Sequence, residues 1–161
     1  MNKKVLFITH AAMIAALYVV LTIIANALGL ANYAIQVRFS EALTILPIFT
    51  PAAVPGLLIG CLLSNIITGC ALFDVIFGSL ATLLGALGTY ALRRYKWLAP
   101  LPPILANILI IPFILTYVYG AEGSLSYFFV TVGLGEIISC GVLGMFLMNI
   151  LQRYEKHIFT H

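Results

Sequence analysis

The chain has 161 residues, of which 63% are hydrophobic and 8% charged, and its formal net charge is +3. Soluble domains contain about 45–50% apolar and about 25% charged residues. The composition therefore excludes a water-soluble globular protein and indicates an integral membrane protein with a single membrane domain, residues 1–161. No basic cluster with interleaved aromatic residues suggests a nucleic-acid site.

The first apolar stretch, residues 5–28, follows Lys3 and Lys4 and ends in Ala25-Asn26-Ala27, which has the form of a signal-peptide cleavage site. Its apolar part is longer than the roughly 7–15 residues of a signal peptide, so we predict a first membrane helix. A membrane helix takes about 20 apolar residues. Three later stretches also meet that length, at 73–92, 98–119 and 125–151.

The apolar stretch between Glu41 and Asp74 is too long for one helix, and Pro47, Pro51 and Pro55 interrupt it. Basic residues near the chain start, at 93–96 and at 153–156 should all be cytoplasmic. An even number of membrane crossings must then separate the basic residues near the chain start from those at 93–96. The apolar stretch between Glu41 and Asp74 must therefore form two helices, near 37–49 and 52–69. The sequence predicts an all-α bundle of six membrane helices with both termini cytoplasmic.

The second helix would be too short without its polar start. Residues 42–49 rise only about 12 Å as an α-helix, whereas the hydrocarbon core is about 30 Å thick. To cross, the helix must begin near Gln36 and carry Arg38 and Glu41 with it. Such groups are tolerated only against protein or a water-filled cavity, so we place them at the rim of an outward-facing cavity. The alternative is an interfacial pair at i, i+3.

Glu136 lies about 16 Å along the last helix, where a lipid-facing carboxylate is costly. We expect it to face the bundle interior, on one helix face with Ser139 and Cys140, and to meet a ligand or partner there. The alternative is a structural carboxylate hydrogen-bonded to Asn107 or to the backbone.

Other polar or aromatic groups fall within the predicted helices. Asp74 precedes Phe77 by about one turn and pairs an acid with an aromatic ring, although Asp also favours helix N-caps. Asn107 and Tyr117 are predicted to share a face of the fifth helix, and Asn65 lies in the third. The alternative for each amide is an interhelical hydrogen bond.

The first helix contains two overlapping pairs of small residues, Ala11/Ala15 and Ala12/Ala16, which allow another helix to approach closely. The alternative is packing within the bundle. The chain has no G-x-x-x-x-G-K-[ST], H-E-x-x-H or G-x-S-x-G motif, which excludes P-loop ATP binding and two hydrolase classes. Its cysteines are isolated and lack metal-ligand spacing. We expect no catalysis, metal or cofactor.

The stretch VRFSEALTILPIFTPAAVPGLLIGCLLSNI, followed by LFDVIFGSLATLLGALGTYALRR, resembles the queuosine-precursor transporter family called QueT. These proteins are substrate-binding S components of energy-coupling factor transporters. The resemblance covers residues 11–94 with specific motifs and the last two helices more loosely. It implies a six-helix S component in the bacterial plasma membrane that captures a 7-deazaguanine, such as 7-aminomethyl-7-deazaguanine, from outside the cell.

The resemblance also implies a transmembrane coupling subunit and two cytoplasmic ATPase subunits as partners. The first-helix alanines would contact the coupling subunit. Ligands of the wider class sit in the outer half, and a guanine-like edge suits a carboxylate acceptor while its carbonyl suits an arginine or amide. The substrate-binding residues expected are Gln36, Arg38, Glu41, Asn65, Asp74, Phe77, Asn107, Tyr117 and Glu136.

Two other functions fit the sequence. A stand-alone secondary transporter of a small cationic heterocycle would use Glu136 as its proton-coupling carboxylate, and transport without ATPase partners would favour it. A structural subunit would bind no small molecule. An intramembrane enzyme is a more distant alternative.

Overall fold

The computed structural model describes residues 2–30 and 36–158, the last four of these in backbone only, and every regular element in that part is helical. In chain order these are α1 (Lys3–Ala27), a 3₁₀ helix (Phe39–Ile48), α2 (Ala53–Ile67), α3 (Leu72–Ala91), a short 3₁₀ turn (Lys96–Leu98), α4 (Leu101–Tyr117), α5 (Leu125–Glu136), a π-helical segment (Ile137–Leu143) and α6 (Gly144–Ile158). The last three run on as one continuous helix.

Among the described residues, four helical stretches are long and apolar enough to cross a membrane: Lys3–Ala27, Leu72–Ala91, Lys96–Tyr117 and Leu125–Tyr154. They confirm the four long apolar helices predicted from the sequence. The two shorter apolar helices, Phe39–Ile48 and Ala53–Ile67, divide the remaining stretch where its prolines lie.

The Phe39–Ile48 helix differs from the α-helix expected to begin near Gln36. Residues 36–38 are not helical, and the turns that follow are 3₁₀. Pro47 lies inside the helix, where its ring would clash with the carbonyl four residues earlier in α geometry. A 3₁₀ helix rises about 2.0 Å per residue, so its ten residues cover about 20 Å, compared with about 15 Å in α geometry.

The helix directions alternate along the chain. Gly56 lies against Ala11 and Ile14, and Gly60 lies against Ala15 and Tyr18, so α1 and α2 run in the same direction. A Cβ on Gly60 would lie 2.7 Å from the Tyr18 Cβ, so glycine permits this close approach. Because α1 and α2 are parallel, the 3₁₀ helix between them runs back the other way, which is the reversal that the double-crossing prediction requires.

The later helices are antiparallel neighbours. Gly85 lies against Pro103 where α3 meets α4, and the Phe113 and Phe129 rings of α4 and α5 meet edge to face at 5.8 Å. The 3₁₀ helix lies at the centre of the bundle, in contact with α1, α2, α3, α6 and the π-helical segment. Every residue from Ser40 to Pro47 is buried.

These directions bring the basic residues to one end of the bundle. Lys4 lies at the start of α1, Arg93 follows the end of α3, and Arg153 lies in α6. The side chain of Lys156 lies outside the described part. The opposite end, where α1 finishes, α3 begins and α4 finishes, contains the cavity described next.

Candidate functional site

A cavity of about 310 Å³ opens at the end of the bundle opposite the basic residues. Its volume lies near the lower limit of the roughly 300–1,000 Å³ typical of small-molecule pockets. One wall is apolar and consists of Ala25, Ile111, Ile114 and Leu115. The polar lining comprises Thr22, Asn26, Gln36, Arg38, Asn65, Thr68, Asp74 and Tyr119, with Gly69 and Cys70 between them. The cavity therefore combines an arginine, a carboxylate and several amides with an apolar wall.

Asp74 is held in place by Tyr119. The Tyr119 hydroxyl donates to Asp74 Oδ2 at 2.8 Å and accepts the Ala71 N–H at 3.1 Å. Asp74 lies in the first turn of α3, where the positive end of the helix dipole stabilises a carboxylate. The N-cap of α3 is Ala71, so the N-cap alternative for Asp74 is wrong. The second carboxylate oxygen, Oδ1, lies with the Asn65 amide beside Gly78.

Tyr119 was missed by the sequence analysis. It follows the last membrane-spanning residues of α4, and a tyrosine at that position is typical of an interfacial anchor. Partial burial of the side chain, reinforced by the Asp74 carboxylate, raises the pKa of the Tyr119 hydroxyl. The group therefore remains protonated at neutral pH and keeps donating to Asp74. Asn26 and Thr22 of α1 were also missed, since neither is unusual in a helix.

Arg38 occupies the extended segment that leads into the 3₁₀ helix. Its backbone N–H donates to Ser139 Oγ at 3.1 Å, which ties the segment to the π-helical part of the last helix. Its guanidinium interacts electrostatically with both Asp74 and Glu41. Arg38 therefore lies between the cavity carboxylate and the acids beneath it.

Beneath the cavity lies a group that we call the acid cluster: Glu41, Glu136 and Cys140. One ligand atom from each lies within 4.8 Å of the other two. Glu41 is 1% exposed and Glu136 8%, so the interfacial-pair alternative is wrong for Glu41. Tyr18 Oη donates to Glu41 Oε1 at 2.5 Å, and Cys140 Sγ donates to Glu136 Oε2 at 3.2 Å. Asn107 is buried and lies close to both carboxylates.

The predicted site residues fall into three groups. Gln36, Arg38, Asn65 and Asp74 line the cavity. Glu41, Asn107 and Glu136 are buried beneath it, and Ser139 and Cys140 are buried on the same helix face as Glu136, as predicted.

Phe77 and Tyr117 are 43% and 76% exposed and lie in an outer apolar groove with Phe73 and Phe113. Asn107 and Tyr117 do not share a face of α4 as predicted. Each residue rotates the helix by about 100°, so over ten residues the Tyr117 side chain points in a different direction from that of Asn107.

The four alanines of α1 do not form one surface. Ala15 is 6% exposed and Ala11 is half-buried, and both lie against the glycines of α2. Ala12 and Ala16 are exposed. The first pair therefore packs within the bundle, as the alternative interpretation held, and the second pair remains free for another helix.

This arrangement suits a small, flat, polar ligand. A carboxylate accepts hydrogen bonds from paired N–H groups, guanidinium and amide N–H groups donate to carbonyls, and aliphatic side chains cover ring faces. The polar groups lie together at one end of an otherwise apolar bundle, where polar residues mark substrate sites.

The sequence model of the QueT transporter family matches residues 8–153. The chain is 34% identical over 96 residues to the queuosine precursor transporter QueT of Lactococcus lactis subsp. cremoris (strain MG1363). That match covers 59% of this chain and 56% of the relative, so the chain spans little more than half the length of the curated relative. No solved structure matches the chain. Because the family model covers nearly the whole sequence, the chain belongs to the QueT transporter family.

Proposed function

We propose that the protein is the substrate-binding S component of an energy-coupling factor importer that captures a queuosine precursor outside the cell. The ligand would be a 7-deazaguanine, such as 7-aminomethyl-7-deazaguanine. The observation that carries this proposal is the cavity itself, in which Arg38 and Asp74 face a pocket with an apolar wall. The family membership and the name of the Lactococcus relative support the ligand class.

The lining groups match the edges of such a ligand. Asp74 Oδ1 is the carboxylate oxygen not bound by Tyr119, and it would accept the ring N–H and the exocyclic amino group. Arg38 or the Asn65 amide would donate to the ring carbonyl. Ile111 and Ile114 would cover a ring face. Glu41 and Glu136 do not line the cavity, so they would act on the ligand electrostatically from below.

The orientation follows from the basic residues. With Lys4, Arg93 and Arg153 at one end of the bundle, the positive-inside rule assigns that end to the cytoplasm of a bacterial plasma membrane. Six crossings would then place both termini inside and open the cavity to the outside.

Energy would come from partner proteins, because the chain has no P-loop motif. The partners would be a transmembrane coupling subunit and two cytoplasmic ATPases. The exposed pair Ala12/Ala16 on α1 would pack against the coupling subunit, since small residues allow close helix approach. The packing of Ala11 and Ala15 against the glycines of α2 supports assigning the contact to the exposed pair.

The direct experiment is mass spectrometry of small molecules released from the purified protein, followed by calorimetric titration with 7-aminomethyl-7-deazaguanine. We expect a 7-deazaguanine among the released molecules and saturable binding of one ligand per chain. Guanine and adenine serve as matched competitors. Absence of 7-deazaguanine binding in folded protein would contradict the ligand assignment, and uptake in cells lacking the ATPases would contradict the energy source.

A proton-coupled secondary transporter is the second candidate. The buried carboxylates Glu41 and Glu136 favour it, because intramembrane acids mark proton pathways. This mechanism predicts uptake that stops when the proton gradient is collapsed but continues without ATPase subunits. The S-component mechanism predicts the opposite pattern.

A further inference from the structure

The acid cluster is more deeply buried than the cavity, and its residues do not line the cavity. Its members come from two distant parts of the chain: Glu41 from the 3₁₀ helix, and Glu136 and Cys140 from the end of α5 and the π-helical segment that directly follows it. From their geometry we propose that Glu41, Glu136 and Cys140 bind one divalent transition-metal ion, with Zn²⁺ the ion that fits the donor set. This inference goes beyond the proposed transport function and does not depend on it.

One oxygen of the cluster lacks a hydrogen-bond partner. Glu41 Oε1 accepts from Tyr18, but within the described part of the chain no group lies in full hydrogen-bond geometry to the buried Glu41 Oε2; the Asn107 amide interacts with this carboxylate from nearby. Leaving a buried carboxylate oxygen unsatisfied is costly. The free oxygen belongs to the carboxylate that faces Glu136 and Cys140, so a cation bound there would satisfy it.

The charge around the cluster is also unbalanced. Three buried carboxylates, Glu41, Asp74 and Glu136, interact with a single guanidinium, Arg38. Within the described residues these three acids therefore share one cationic partner, and with all three ionised the group would carry a formal charge of −2. Buried charges without partners are strongly unfavourable. One divalent cation would neutralise the group.

The donor atoms select the kind of metal. Two carboxylate oxygens and a thiolate suit Zn²⁺, whereas Mg²⁺ and Ca²⁺ take oxygen ligands almost exclusively. Zn–S bonds of about 2.3 Å and Zn–O bonds of about 2.0–2.2 Å place tetrahedral ligand atoms roughly 3.3–3.7 Å apart. The 4.8 Å spread therefore has to shrink by about 1 Å, which side-chain rotation supplies. The Asn107 side chain lies close enough to complete the site.

Binding would replace one hydrogen bond by metal bonds. Cys140 Sγ now donates to Glu136 Oε2 at 3.2 Å. On metal binding the thiol proton would be released to solvent, and both atoms would become ligands. Spacing along the chain does not reveal this site, because Glu41 is about a hundred residues from Cys140.

The test uses the full-length protein in detergent, stripped with a chelator and titrated with Co²⁺ as a spectroscopic substitute for Zn²⁺. We expect a thiolate-to-metal charge-transfer band that saturates at one Co²⁺ per chain and disappears when Zn²⁺ is added. Cys140→Ser should abolish the band, and Glu41→Gln should weaken Co²⁺ binding at least tenfold. Wild-type protein without the band would overturn the proposal.

A second variant guards against misfolding of Cys140→Ser. The chain has three cysteines, so Cys61→Ser/Cys70→Ser leaves Cys140 as the only thiol and should keep the band at the same stoichiometry. Loss of the band in that double variant would assign Co²⁺ to another thiol, such as Cys70 in the cavity wall, and would overturn the proposed site. No transport ligand is present in these titrations, so their outcome is separate from that of the ligand-binding experiments.

Discussion

Helix α1 and the 3₁₀ helix are both apolar, but they occupy opposite environments. Only Ile14, Ala15, Tyr18 and Ala25 of α1 are buried, and no charged residue follows Lys4 in it. In the 3₁₀ helix every residue from Ser40 to Pro47 is buried, and one of them is Glu41. A helix that faces lipid must be apolar on its outer surface, whereas a helix enclosed by protein can carry an acid.

The two helices are coupled where they touch. Tyr18 of α1 donates to Glu41, and Thr22 donates to Ser40 Oγ at 2.9 Å. Tyr18, one of the few buried residues of α1, thus supplies a hydrogen bond that makes the acid of the 3₁₀ helix tolerable. The enclosed 3₁₀ helix therefore carries the acid of the site, and the exposed helix α1 contacts lipid or a partner protein.

The exposed face of α1 should be essential for transport and dispensable for binding. We predict that Ala12→Leu/Ala16→Leu abolishes uptake, because the added side chains keep the coupling helix at a distance. Ligand affinity should be unchanged, since neither residue lines the cavity. Uptake assays and copurification with the coupling subunit measure the first effect, and calorimetry the second. Normal uptake would place the coupling surface elsewhere.

The enclosed region should determine ligand affinity. Asp74→Asn removes a charge-assisted hydrogen bond of about 1.5–3 kcal/mol, so we predict a loss of affinity of roughly tenfold to hundredfold. Calorimetric titration measures it. Glu122→Gln, which neutralises an exposed loop acid, is the matched control and should bind like the wild type. Equal affinities for the two variants would remove Asp74 from the site.

The contact between α1 and α2 supports both environments. Gly60→Val would introduce a Cβ 2.7 Å from the Tyr18 Cβ and 3.0 Å from the Ala15 carbonyl oxygen. Overpacking of this kind typically costs about 1–3 kcal/mol, so we predict a lower unfolding temperature in detergent. Ile59→Val, at an exposed neighbouring position, should unfold like the wild type. A wild-type unfolding temperature for Gly60→Val would argue against this helix contact.

The smallest effect is expected at the cavity mouth. Tyr119→Phe keeps the ring but removes the hydroxyl between Asp74 and Ala71. This charge-assisted hydrogen bond, of about 1.5–3 kcal/mol, positions Asp74 and does not contact the ligand, so only part of it affects binding and affinity should fall roughly twofold to tenfold. Tyr117→Phe alters an exposed tyrosine outside the cavity and should leave binding unchanged. If Tyr117→Phe has the larger effect, the ligand lies in the outer groove.

The helices were largely predictable from local sequence. Four long apolar stretches and three prolines were enough to locate four long helices and two short ones, because hydropathy and proline geometry act within a few residues. The 3₁₀ turns of Phe39–Ile48 were not predicted. Their geometry depends on enclosure by α1, α2, α3 and α6, and local propensity disfavours so long a 3₁₀ helix.

The sequence by itself determined that this is a membrane protein of the QueT family. It also determined that the charged side chains within its apolar stretches need protein surroundings, because a charge exposed to lipid is costly at any position. These are Arg38, Glu41, Asp74 and Glu136. Only the tertiary structure decided which of these residues meet. It brings Glu41, Glu136 and Cys140 together, adds Tyr119 to Asp74, turns Tyr117 outward and separates the buried alanines of α1 from the exposed ones. Those outcomes depend on how each helix is rotated and packed against the others, and spacing along the chain does not encode that rotation.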